Sequence, residues 1–179
     1  MATEETDDQP FFGVPKAMLC EFGKLAVLSA RIERAAYEIA RTLGLPPPNH
    51  GRTNALRQEC GHILKRLKDP SLPGRFDGLV PGWRERVREW VDGVPDIVDG
   101  TRNLYLHAYY MYARDSENTE RSGDSRDPTD IISVSLDDVR AALDKLKPWE
   151  AAGEKLRRDV SAATAQARAV IHDLEIPDD

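Results

Sequence analysis

Few residues in this chain have the types and spacing that chemistry demands, and most of them fall in one stretch: Arg102-Asn103-Leu-Tyr-Leu-His107, followed by Tyr109, Tyr110 and Tyr112. Arginine stays charged at any physiological pH, and its planar fork matches the oxygens of a phosphate. Histidine, with an unperturbed pKa near ~6.5, gives or takes a proton close to neutrality. The spacing recurs once more in Arg57-Gln-Glu-Cys-Gly-His62. The later pair is preferred because Asn103 and His107, four apart, would share one face of a helix. Other catalytic devices are missing: the chain has no Gly-rich phosphate loop, no Gly-x-Ser-x-Gly elbow and no His-Glu-x-x-His pair. Cys20, Cys60 and His62 lack both the spacing and an evident fourth ligand for zinc, so neither metal nor cofactor is expected.

The Arg102 to His107 stretch resembles the Arg-x(4–6)-His motif of the HEPN superfamily. In that family a helical bundle carries the arginine, a polar residue directly after it, and a histidine about a turn and a half later. Asn103 occupies the polar position. The order of helices is also similar, over most of residues 16–174. The resemblance implies an all-α fold, an up-and-down bundle of four to five helices with a long polar loop before the final long helix. It also implies a metal-independent endoribonuclease, of the kind found among toxins and anti-phage or stress effectors. On this reading a ribose 2′-hydroxyl attacks the adjacent phosphate, leaving a 2′,3′-cyclic phosphate and a 5′-hydroxyl. His107 would handle the protons, Arg102 would offset the charge on the pentavalent phosphorus, and Asn103 would position His107 or a phosphate oxygen.

Residues five apart on a regular helix differ by about 140°, so Arg102 and His107 cannot simply project side by side. Either the helix is distorted near Arg102, or the two groups belong to a cleft shared by two protomers about a two-fold axis. The resemblance favours the shared cleft and therefore a homodimer; it leaves room for an antitoxin partner. The same residues also admit a purely structural reading, with Arg102 paired to the Asp96 to Asp99 turn and His107 packed beside tyrosines. A non-catalytic HEPN-like module for dimerisation or for RNA or nucleotide binding is the alternative function, and a helical adaptor outside the family a third.

Hydrophobic periodicity supplies the elements that would hold these groups. Phe22, Leu25, Ile32, Ala36, Ile39 and Leu43 recur at steps of three and four, with Ser29 filling one slot, and predict a helix over residues 16–43. Gly44 and the prolines after it end that helix. A second helix over residues 54–67 turns Leu56, Cys60, Ile63, Leu64 and Leu67 inward. A third, bent or broken at Pro95, is predicted over residues 83–112, with Leu104 among its inward positions. Residues 114–130 read as an exposed polar loop, with a short strand at Ile131-Ile-Ser-Val. Ser135 and Asp138 form a capping-box start for a final helix that reaches Leu174, has Ala152, Val170 and Leu174 inward, and bends at Pro148.

The first ten residues carry four acids and no base, so residues 1–12 read as a disordered acidic tail preceding a single domain over residues 13–176. Net charge is −6, which argues against a surface built throughout to coat nucleic acid or lipid. Residues 31–68 are the exception: eight basic residues stand against three acidic ones. Within that island Arg31, Arg34, Arg57, Lys65 and Arg66, with Tyr109 from the later stretch, are the expected RNA contacts. No apolar run approaches the ~20 residues that span a bilayer, and no secretory signal opens the chain. A soluble, cytoplasmic protein without membrane contact is expected.

Overall fold

A computed structural model describes residues 14–46, 55–69, 81–106, 110–113, 118–124 and 127–175. The fold is mostly helical. Among the described residues are four helices, α1 (Lys16–Thr42), α2 (Ala55–Leu67), α3 (Trp83–Tyr105) and α4 (Leu136–Glu175), with three strands between α3 and α4. These are β1 (Tyr110–Ala113), β2 (Asn118–Asp124) and β3 (Asp127–Ser135), paired antiparallel in the order β1-β2-β3.

Each helix lies close to where periodicity predicts it, and local chemistry sets its ends. At the end of α1, Gly44 takes a φ of 77°, a left-handed conformation costly for any side chain with a Cβ. The Gly44 N–H bonds the Arg41 carbonyl and the Leu45 N–H reaches the Ala40 carbonyl, both at 3.0 Å. That is the Schellman arrangement, and it directs Leu45 and Pro46 away from the helix axis. At the start of α4 the expected capping box is formed reciprocally. The Asp138 N–H donates to Ser135 Oγ at 3.1 Å, and the Ser135 N–H donates to Asp138 Oδ2 at 2.8 Å. The Ser135 hydroxyl adds a third bond to the same carboxylate at 2.6 Å. Neither Pro95 nor Pro148 ends its helix; α3 and α4 continue through them.

The middle of the chain departs from expectation. α3 stops at Tyr105 instead of reaching Tyr112, and Tyr110 to Tyr112, read as helical, belong to β1. Aromatic residues suit a strand, and β2 supplies the partner, with Tyr110 opposite Arg121 and Tyr112 opposite Glu120. Residues 114–130 are not simply a polar loop: β2 and the first part of β3 fall within them. Thr119 and Val134 are directly opposed and both buried, so a polar-looking sequence presents one inward pair that helical periodicity cannot reveal. Ile132, two residues before Val134 on β3, is exposed.

Two compact units make up the chain, one of residues 1–29 and 98–147, the other of residues 30–97 and 148–179. In the first, Met18, Phe22 and Leu25 of α1, Val98 and Tyr105 of α3, and Val139, Leu143 and Leu146 of α4 are buried. The Phe22 and Tyr105 rings lie 6.5 Å apart and tilted, while the Tyr105 hydroxyl donates to the Asp138 carbonyl at 3.3 Å. Burial of the ring with its hydroxyl satisfied is what makes a tyrosine acceptable there. In the second unit the buried set includes Ile32, Ile39, Ile63, Trp83, Val87, Trp90, Val94, Leu156 and Val160. Each such side chain contributes about 1.5–3 kcal/mol on leaving water. Leu104 and Ala152, expected inward, are exposed; the side chains of Val170 and Leu174 lie outside the described residues. No helix among the described residues is long and apolar enough to cross a membrane.

Candidate functional site

Arg102 sits in the last turn of α3, half-buried, and its carbonyl accepts the Leu106 N–H at 2.7 Å. Asn103 is on the same turn, its side chain outside the described residues, as are His107 and Tyr109 altogether. α3 ends at Tyr105, and the shared face expected of Asn103 and His107, like the angle between Arg102 and His107, lies outside the described residues. The Tyr105 ring is part of the core.

The basic island is sorted by its partners. Arg31 faces Glu150 at 3.6 Å, and Arg34 Nε donates to Glu38 at 2.8 Å. Glu38 also accepts from Arg157 at 2.9 Å, and Arg157 grips both oxygens of Glu154 at 2.6 and 2.9 Å. The bonds from Arg34, aided by Arg157, hold the Glu38 carboxyl below its ordinary pKa, and Arg157 does the same to Glu154. The Arg157 guanidinium is correspondingly raised, chiefly by its bonds to Glu154. Arg57 bonds Asp96 at 2.7 Å, tying α2 to α3. Three of the expected RNA contacts, Arg31, Arg34 and Arg57, are thus engaged in ion pairs between or along helices.

Lys65 and Arg66 belong to a different setting. They line an open depression of about 550 Å³ with Leu45, Pro46, His62, Lys68 and Asp69. His62, Lys65 and Arg66 stand at i, i+3 and i+4 on α2, which places them on one face. Arg66 is held by Asp69 at 2.6 Å and by the Leu43 carbonyl at 3.3 Å, so the α2 face is fixed beside the Schellman turn that carries Leu45. His62, Lys65 and Lys68 are exposed, and no ion pair or hydrogen bond engages their side chains among the described residues. Three basic side chains and an imidazole around one carboxylate form a positive, partly apolar hollow.

No family model, curated protein or solved structure matches this chain. The site therefore stands on its own residues. Cys60 is buried and His62 exposed, which separates the two groups that zinc would need together. Among the described residues no cluster of three or more His, Cys, Asp or Glu is arranged to hold a metal ion. Sequence reasoning named Lys65 and Arg66 but missed the part of His62, Lys68, Leu45 and Pro46; the i, i+3, i+4 spacing from His62 was the available signal.

Proposed function

We propose that this protein is a HEPN-like, metal-independent endoribonuclease acting as a homodimer. The observation that carries the reading is the stretch Arg102-Asn103-Leu-Tyr-Leu-His107, with Arg102 in the final turn of α3 and the chain leaving the helix immediately after it. Arg102 is half-buried at the helix end, and a guanidinium matches the oxygens of a phosphate, which supports the reading. In the proposed step the 2′-oxygen attacks phosphorus while His107 takes its proton. The phosphorus–O5′ bond breaks, and the leaving oxygen is protonated, giving a 2′,3′-cyclic phosphate and a 5′-hydroxyl. Arg102 offsets the charge that builds on the phosphoryl oxygens.

A second reading takes the stretch as a binding element, with Arg102 in the last turn of α3 holding a phosphate and no proton moved. On that reading the protein binds RNA or nucleotides without cutting them. Incubating the protein with mixed tRNA in EDTA separates the two. Cleavage by the wild type that is lost in both Arg102→Ala and His107→Ala supports the nuclease, and retained RNA binding without cleavage supports the module. Cleavage that depends on His62 and not on His107 would assign the chemistry to the Arg57/His62 pair.

A further inference from the structure

The depression at the end of α2 combines features that a plain solvated helix face lacks. Its volume of about 550 Å³ falls within the ~300–1,000 Å³ of small-ligand clefts. One wall, Leu45 and Pro46, is apolar and is set by the Gly44 turn. The rest of the lining is largely cationic, with the side chains of Lys65 and Lys68 unengaged among the described residues while Arg66 is anchored by Asp69 and the Leu43 carbonyl. An exposed imidazole, His62, lies on the same helix face. Complementing the α2 dipole accounts for cations in the last turn, but not for an apolar wall beside them.

We infer that this depression binds one nucleotide of single-stranded RNA, with the base against Leu45, Pro46 and the His62 ring and the flanking phosphates on Lys65 and Lys68. A base has a flat apolar face on a charged chain, which is the pairing these walls offer. An acidic peptide would satisfy the lysines but leave the apolar wall and the imidazole face without a partner. The choice of RNA as the polyanion rests on the proposed nuclease reading.

Binding of an uncleavable, 2′-O-methylated single-stranded RNA of about ten nucleotides tests the inference apart from catalysis. Fluorescence anisotropy is read over a salt series for the wild type, for Lys65→Glu/Lys68→Glu and for His62→Ala, with circular dichroism to confirm that each is folded. The double variant should bind at least about tenfold more weakly and lose about 1.4 from its log–log salt slope, near 0.7 for each phosphate contact removed. His62→Ala should weaken binding without changing the slope, because it removes stacking and not a phosphate contact. Affinities within about twofold of the wild type, or an acidic peptide that competes as well as RNA of equal charge, would overturn the inference. Failure here with His107-dependent cleavage intact leaves the nuclease reading standing; normal binding with no cleavage leaves this site standing and removes the nuclease.

Discussion

Trp90 of α3 and Trp149 of α4 are locked to each other: the Trp90 indole N–H donates to the Trp149 carbonyl at 2.9 Å, and the six-membered part of each indole sits against a glycine of the opposite helix. Trp90 covers Gly153 and Trp149 covers Gly93, so closely that a Cβ at either glycine would collide with the ring. Two bulky side chains interleave where the two backbones carry none, and the indole N–H is satisfied in the process. Helix propensity disfavours glycine at both positions; the ring contacts explain its presence.

Adding a methyl group should therefore have opposite effects at different helix glycines. Gly153→Ala should lower stability by about 1–3 kcal/mol through overpacking, and Gly93→Ala should act in the same direction. Gly23→Ala, on α1 where a Cβ meets nothing within 4 Å, should raise stability by about 0.5–1 kcal/mol. Urea unfolding of the three variants measures this, and a stabilising Gly153→Ala would contradict the interlock.

The start of α4 depends on one side chain. Ser135→Ala removes the hydroxyl that caps the Asp138 N–H and bonds its carboxylate, and should cost about 0.5–2 kcal/mol in chemical unfolding. Ser135→Asp, which keeps an acceptor at the cap but sets two carboxylates together, should recover only part of the loss.

Acid should weaken the fold through three carboxylates. Ser135 holds Asp138 below its ordinary pKa by a hydroxyl and a backbone bond, and Arg34 and Arg157 hold Glu38 and Glu154 down. Each contribution is fully present above the unfolded carboxylate range near ~4 and disappears as pH falls through the lowered folded value. Arg157→Met should thus be less stable than the wild type near neutrality, with the gap narrowing below about pH 4. Equal gaps at about pH 7 and about pH 3 in urea titrations would remove the ion-pair account.

Much of the helical frame was legible because its signals are local. The α1 stripe through Leu25, Ile32 and Ile39, the Gly44 stop and the Ser135/Asp138 cap each follow from residues within a few positions of one another. The β-sheet was not, because pairing Tyr112 with Glu120 or Thr119 with Val134 joins distant residues, and their inward face emerges only on pairing. Without that sheet, the segment from Tyr110 to Tyr112 read as a continuation of α3. The basic island was legible as charge, but not its sorting: Arg31 and Arg57 find acids far along the chain and Arg34 finds Glu38 one turn on, whereas Lys65 and Lys68 line a depression shared with Leu45 and Pro46.

The reading as a nuclease is tested most directly by the ends it leaves. A defined RNA is incubated with the wild type and His107→Ala in EDTA, and the product termini are identified by mass spectrometry. The account predicts fragments ending in 2′,3′-cyclic phosphate and beginning with 5′-hydroxyl from the wild type, and none from His107→Ala. Intact RNA, fragments with 5′-phosphate ends, or equal cleavage by His107→Ala would contradict it.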